Sequence, residues 1–424
     1  MPSIATFIYL INAKLTQILI ESPTSKDRFI RHRGDYLESE VNILFEKMFN
    51  NTKVYNYLYY NIFEDGEDKR CELDHLIIYD TNIFIIESKS GKFSDPARRG
   101  AFGSFKEEIR DNIEYAFKQA KRTKDYILST ENPTFYEANG EVADLNIDKH
   151  KILRWFLINT TLDDFGDVAT KLNLLKDIGI YSYDEYPWSV NLNDLLKVFL
   201  FLNQPSQFVH YLHRRLVISN NENKTNVFAF YELDYLWHYL NHNIFFEEEK
   251  KAFIFLETGG KKLLNDALIK GEDITKYKQK MPKLLEKFLE GLEVIKTDGY
   301  TEVALNIYDL SMESRELLVK AYETSLEKYN VVKKPIESFI ETDKVVFHYN
   351  VMSKEEYNYE QWRAKVYVRN YQLKNKKIIS FLKFIESDKE HNCDKYLLID
   401  KSEFKVDEEM EMLSKKIGLI PKVD

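Results

Sequence analysis

The chain is short of the residues that interrupt or staple a backbone. Glycine contributes 14 of 424 positions and proline 9, about 3 % and 2 % against usual frequencies of roughly 7 % and 5 %. That scarcity excludes collagen-like, linker-like and largely disordered chains. Cysteine is almost absent. Cys71 and Cys393 lie far apart in the sequence and match no zinc or redox spacing, which excludes a disulfide scaffold and a zinc ribbon and predicts a reducing compartment. Long apolar runs are missing too. The richest stretch, residues 4–20 (IATFIYLINAKLTQILI), contains Asn12, Lys14 and Gln17 and lacks the basic flank and cleavage site of a signal peptide. It reads as a packed helix or strand, and the expectation is a soluble cytoplasmic protein with no membrane partner. There is no GxxxxGK[ST] loop and no glycine-rich dinucleotide fingerprint after a strand, so ATP-driven translocation would need a separate subunit.

What is present is a long, charged, aromatic chain. At 424 residues and 50.5 kDa it exceeds one typical domain. The net charge of −9 argues against coating nucleic acid by bulk attraction. The average hides an asymmetry. Between Lys89 and Lys124 stand ten basic residues and five acidic ones, a local +5 against −14 for everything else. Such a segment reads either as a phosphate-tracking surface or as a solvated helix face laced with ion pairs.

Periodicity organises the chain. From Tyr36, apolar residues recur at Leu37, Val41, Leu44, Phe45 and Met48, the spacing of one helical face. Residues 54–63 (VYNYLYYNIF) read as a strand, with a turn-like EDGEDK stretch after it. Residues 72–79 (ELDHLIIY) and 83–89 (IFIIESK) then read as a β-hairpin apolar enough for burial on both faces. A helix is predicted from about Phe105 to Leu128, and strands at 152–158 and 178–183. This order implies an α/β core with helices flanking a mixed sheet. Beyond Tyr186 helices dominate: Asn193 is a candidate cap for a helix through Leu202, Pro205 begins another, a third spans 231–239 and Pro282 opens a fourth. After Gly299 the pattern is mixed again, with strands predicted near 303–307, 345–350, 364–368 and 396–399 and a helix over 311–328. The expected divisions are 1–185, 186–298 and 299–424: an α/β core with an N-terminal extension, a helical accessory region and a C-terminal α/β accessory module. No internal repeat is visible.

The hairpin is where the sequence becomes specific. Asp74, Glu87 and Lys89 interrupt strands otherwise filled with Leu, Ile and Phe, and charges seldom occupy such strands without a partner or a metal. Glu87 and Lys89 are two apart and share a face. A two-residue turn at Asp80 and Thr81 would pair 79 with 82, 77 with 84 and 74 with 87, placing opposed Cβ atoms about 5 Å apart. A slip of one residue would send Asp74 to the other face. In the expected register Asp74 and Glu87 form an oxygen-donor cradle for Mg²⁺ or Mn²⁺, completed by the Ser88 carbonyl and waters. Lys89 then stands beside the attacking water. An ordinary cross-strand Lys–carboxylate cluster is the alternative, and Glu72, on the face of Asp74 but at the loop edge, reads as solvated.

These residues resemble a known family. Glu72-Leu-Asp74-His followed by Glu87-Ser-Lys89-Ser-Gly91-Lys is similar to the core motif of the PD-(D/E)XK nuclease superfamily, and most of all to its nuclease-related (NERD-type) branch. Upstream, Gly34, Glu38 and Val41 match the branch's helix pattern, although Leu37 stands where it usually has glycine, which leaves Glu38 and Glu40 both open as the helix carboxylate. Downstream, Gln119 matches the family's helical glutamine. The resemblance covers about residues 31–160. It implies a restriction-endonuclease-like core and metal-dependent phosphodiester hydrolysis, with Glu38, Asp74, Glu87, Lys89 and Gln119 catalytic and Asp74, Glu87 and Ser88 holding the metal. Lys92, Arg98, Arg99, Lys118, Lys121 and Arg122 would contact nucleic acid, DNA in preference to RNA. A role in bacterial defence against phage is implied by the resemblance alone.

Weaker signals point elsewhere. The pairs His210/His213 and His238/His242 sit among aromatic residues without the Glu of an H-E-x-x-H site and read as packing. Two rival readings remain: an inactive nuclease fold serving as a nucleic-acid-binding or scaffold subunit, and a toxin-like or immunity component gated by a protein partner, or by self-association, through residues 186–424.

Overall fold

The computed structural model describes residues 4–64, 66–202, 204–220, 226–245, 253–387 and 393–418. The chain divides into two compact units, 1–278 and 279–424.

The first unit begins with α1 (Ile4–Glu21) and α2 (Lys26–Met48), followed by β1 (Val54–Glu64), β2 (Glu67–Tyr79) and β3 (Asn82–Lys89). The period read from Tyr36 is that of α2, whose Leu37, Val41, Leu44, Phe45 and Met48 are buried. In α1, by contrast, Ile11, Leu15, Ile18 and Leu19 are exposed, so these residues do not pack as expected. A two-residue turn joins β2 to β3. Asp80 adopts φ +53, a left-handed conformation that Asp tolerates better than most residues. The register is Tyr79↔Asn82, Ile77↔Phe84 and His75↔Ile86; the turn-side pairs are those expected, but the expected pair of Asp74 with Glu87 is not part of the ladder, which ends one residue earlier.

The crossover comprises α3 (Asp95–Arg98), α4 (Phe102–Ile109), a π-helical turn at Arg110–Glu114 and α5 (Tyr115–Ser129). It leads to β4 (Arg154–Thr161), then α6 (Asp167–Thr170), α7 (Leu172–Asp177) and β5 (Trp188–Asn191). The sheet order is β1-β2-β3-β4-β5. β1, β2 and β3 form an antiparallel meander, and β4 and β5 run parallel to β3. The mixed sheet is covered on both faces. Ile83, Ile85 and Leu157 share one core with Ile109, Ile113, Phe117 and Ala120. On the other side Phe49 of the α2 C-cap meets Tyr79 and Phe84, both at 5.0 Å. Full burial of each such ring contributes about 1.5–3 kcal/mol.

The remaining elements of this unit are α8 (Leu192–Phe201), α9 (Pro205–Ser219), β6 (Asn226–Phe228), α10 (Glu232–His242), β7 (Phe253–Phe255) and α11 (Gly260–Ile269), with a 3₁₀ turn at Ile274–Tyr277. The strand predicted at 178–183 is loop whose Ile180 and Tyr181 are buried in the core; the strand is β5, ten residues later. The cap of α8 is Asn191, whose side chain accepts from the Asp194 amide at 3.0 Å, rather than Asn193. His210 and Tyr239 share a buried hydrogen bond of 2.9 Å, a packing role as expected.

The second unit runs α12 (Lys283–Ile295), α13 (Tyr300–Tyr308), α14 (Met312–Val332), β8 (Ile336–Glu341), β9 (Val346–Met352), α15 (Tyr359–Gln372), β10 (Ile378–Phe384), β11 (Lys395–Ile399) and α16 (Glu408–Ile417). The strands predicted at 303–307 and 364–368 lie instead in helices α13 and α15. Eight of the nine residues of α13 are buried, and a helix buried on every side has no clear 3.6-residue signature to read. The sheet order is β11-β10-β9-β8, with β8 antiparallel and β10 parallel to β9. Hairpin, helix, parallel strand is thus an order that both units share.

Candidate active site

At the end of the β2–β3 ladder the two strands part. The last ladder pair is His75↔Ile86. The Ser88 amide donates instead to Asp74 Oδ2 at 2.7 Å, so the aspartate side chain takes the place of a ladder acceptor. Glu87, one residue before, is fully buried, and both its carboxylate oxygens lack a hydrogen-bond partner among the described residues. Lys89 Nζ lies 3.9 Å from Glu87 Oε2 and retains 21 % side-chain exposure. Burial, and then the charge of Asp74, push the Glu87 carboxyl well above its ordinary range, with Lys89 and Arg122 pulling the other way. Asp74 is raised by burial against the opposing pull of Lys89 and the Ser88 amide.

The strand geometry that supports this arrangement is irregular. Tyr57 of β1 adopts φ +52, unusual for an aromatic residue and costing about 1–2 kcal/mol. It lies opposite Asp74, between the pairs Asn56↔His75 and Leu58↔Leu73. Leu58 and Leu73 share a core with Leu76 and Ile85, which strict alternation from Leu76 would forbid for Leu73, so the strands turn over at this point. Tyr57 and Glu38 of α2 influence each other's titration. Burial first, and Asp74 second, raise Glu38 to about 7, while burial and then Glu38 push Tyr57 up to about 12. Nothing in the β1 sequence marks Tyr57; its φ is the only sign.

A cleft of about 430 Å³ opens here, lined by Gly34, Glu38, Ser88, Lys89, Lys92 and Asn112 among others. Gly34 comes within 3.7 Å of Ser90 Oγ at its virtual Cβ, letting α2 approach the chain that leaves β3. Gly91 is more constrained. A Cβ there would fall 2.0 Å from Asn112 Oδ1, and Asn112 sits in the π turn, donating to the Glu108 carbonyl at 2.9 Å while its own carbonyl accepts from Asn159 at 3.0 Å. Arg33 ties down the segment after β3 by donating to the Ser90 carbonyl at 3.0 Å and pairing with Asp163 at 2.8 Å.

The residues singled out from the sequence distribute as follows. Glu38, Ser88, Lys89 and Lys92 line the cleft, with Asp74 and Glu87 bonded or charge-coupled to them. Glu38 rather than Glu40 is the helix residue in its wall. Gln119 is outside that lining, with its Oε1 buried and without a partner among the described residues. One turn later, Arg122 donates to the Tyr60 hydroxyl at 3.3 Å and feels the charge of Glu87. Lys118, Lys121 and Arg122 line a separate hollow, and Lys121 pairs with Asp125 at 2.9 Å. Arg98 and Arg99 are exposed. The basic segment is therefore partly ion-paired. Glu72 is exposed and accepts from the Tyr59 hydroxyl at 3.0 Å.

Residues 33–139 match the family model of the nuclease-related domain. They carry a nuclease-related domain. The match takes in all the cleft residues named above, from α2 through β3 to α5. No curated protein and no solved structure matches the chain. Among the described residues of the second unit, the hairpin carries no equivalent acid pair: Glu337 opposes Asn350 and is bound by Arg369 at 3.0 Å and by Lys365.

In the nuclease-related domain the donors suit a hard divalent cation. Glu87 presents two buried oxygens without partners, and Asp74 presents a third donor group beside it. Among the described residues no three His, Cys, Asp or Glu side chains converge as a ready-made cage. Among the described residues no helix is long and apolar enough to cross a membrane.

Proposed function

We propose that this protein is a metal-dependent nuclease that hydrolyses phosphodiester bonds, with DNA its favoured substrate. The observation that carries the reading is Glu87: a fully buried carboxylate without hydrogen bonds, set against a second carboxylate and a lysine, is an expensive arrangement that a bound cation would relieve. Asp74, Glu87 and the Ser88 carbonyl would hold Mg²⁺ or Mn²⁺. When bound, that ion supplies positive charge to the phosphate oxygens and acidifies water.

The chain's own residues do the rest. Lys89, part-exposed at the cleft, orients the attacking water and adds charge to a non-bridging oxygen. Glu38, raised to about 7 chiefly by burial, would accept the proton that this water gives up. Lys92 steers the phosphate backbone into the cleft. Residues 186–424 provide surface for a regulatory partner or for self-association, and a place in defence against phage is consistent with a nuclease gated in this way.

The test is incubation of the purified protein with end-labelled DNA and RNA in Mg²⁺, Mn²⁺ or EDTA, beside Lys89→Ala and Asp74→Asn. Cleavage should require the cation and vanish in both variants, whose circular dichroism remains that of the parent. Cleavage that persists in EDTA or in either variant would remove the assignment.

A further inference from the structure

We propose that an aromatic hollow next to the cleft receives an unstacked nucleobase, so that the strand crossing the active site is single-stranded there. This rests on the nuclease reading and names its substrate class. The hollow measures about 690 Å³, ample for a nucleotide. Its wall includes Phe93, Phe102, Phe105, Phe165, Phe230 and Tyr231. Phe93 and Phe165 stack at 4.7 Å and are buried, giving a fixed apolar floor. Phe102, Phe230 and Tyr231 are 62 %, 47 % and 40 % exposed, and three aromatic rings left in water around one concavity are a costly arrangement without a ligand.

Cations accompany the rings. Lys171 lies 4.3 Å from the Phe230 centroid, Lys261 3.7 Å from that of Tyr231, and the Arg98 guanidinium 4.8 Å from that of Phe93. Lys171 and Lys261 are offset by Asp167 at 3.3 Å and Asp164 at 3.5 Å. Arg98 has no carboxylate partner among the described residues and is exposed. A flat π system attached to an anionic backbone matches that combination of ring faces and one uncompensated guanidinium. An apolar peptide would leave the Arg98 guanidinium unanswered. A base inside a duplex is stacked on both sides and cannot present a face to Phe102 or Phe230.

Position supports the same occupant. The chain that lines the cleft through Lys92 continues directly into the hollow at Phe93. Asp163 bridges the two, pairing with Arg33 at 2.8 Å and accepting from the Phe93 amide at 3.0 Å, immediately before Asp164 and Phe165 of the hollow. The cleft and the hollow thus meet along one chain segment, Lys92 in the first and Phe93 in the second.

The experiment measures binding of the full chain, in EDTA, to a fluorescent single-stranded oligonucleotide and to its duplex, by anisotropy, for the wild type and for Phe102→Ala combined with Phe230→Ala. Both side chains are exposed, so the variant should keep the parent's circular dichroism. The single strand should bind more tightly than the duplex, and the variant should lose about tenfold or more for the single strand alone, the usual scale of base–aromatic stacking. Equal single-strand binding by variant and wild type would overturn the nucleobase pocket while leaving the nuclease reading in place. Loss of a bound apolar dye without loss of oligonucleotide affinity would overturn it as well, assigning the hollow to a protein partner. A wild type that binds neither nucleic acid and cleaves neither in Mn²⁺ would bring down the nuclease reading, and the pocket with it.

Discussion

Replacing Glu87 by glutamine should make the metal-free protein more stable while abolishing its activity. The side chain is fully buried, both oxygens lack partners, and Asp74 adds a like charge that Lys89, at 3.9 Å, offsets only in part. The folded state therefore holds a proton on this acid pair at pH values where the unfolded chain has released it. Between the ordinary carboxylate range and the raised one, stability falls as pH rises, by about 1.4 kcal/mol per pH unit for one proton. Glutamine removes that slope. For a unit of this size roughly 2–4 °C of melting temperature accompanies each kcal/mol, so in EDTA the variant's advantage should grow by roughly 3–5 °C per pH unit across that window. Mn²⁺ at about a hundredfold its dissociation constant should then add about 2.7 kcal/mol to the wild type and nothing to the variant. Differential scanning fluorimetry at pH 5, 6 and 7 with EDTA or Mn²⁺ reads all of this. A variant that melts below the wild type at every pH, and gains as much from Mn²⁺, would refute the view of Glu87 as a strained metal ligand.

Three other outcomes are expected. Glu38, raised to about 7 chiefly by burial, must lose its proton for the site to collect full negative charge, so Mn²⁺ affinity measured calorimetrically should rise about tenfold between pH 6 and pH 8 on its account; Glu38→Gln should flatten that component. Gly91→Ala displaces the Asn112 side chain and its bond to the Glu108 carbonyl, because the new Cβ falls 2.0 Å from its Oδ1, and should cost about 1–3 kcal/mol in chemical denaturation along with most of the cleavage rate; unchanged stability would contradict the cradle. In the second unit, burial lowers His348 to about 3, so the unfolded chain binds more protons below pH 6.5 and stability falls as pH falls through that window, by up to about 5 kcal/mol. Hydrogen exchange of β9 peptides should accelerate between pH 6.5 and 4 after correction for intrinsic rates, and His348→Asn should remove the trend.

Much of the site was legible because hairpins obey local rules. The turn at Asp80 and the twofold alternation of β3 specify which residues oppose each other, and the observed pairs Tyr79↔Asn82 and Ile77↔Phe84 are those the turn length dictates. The helical period of α2 likewise names its buried face. Where the sequence misled, several faces of an element were buried at once. Residues 303–307 and 364–368 look like strands because helices α13 and α15 bury residues on more than one side, which erases the contrast that periodicity measures.

Local sequence determined the hairpin, its register and the presence of Asp74, Glu87 and Lys89 on it, since each depends on neighbours a few residues away. Tertiary structure alone decided that Tyr57 turns over in β1, that Arg33 and Asp163 pin the chain after β3, and that rings from positions as distant as Phe93 and Tyr231 surround one hollow. It also revealed a hairpin, helix and parallel strand in both units, where the sequence has no visible repeat. These arrangements join residues tens to more than a hundred positions apart, and the cost of bringing them together is met by the packing of the whole unit rather than by any local preference.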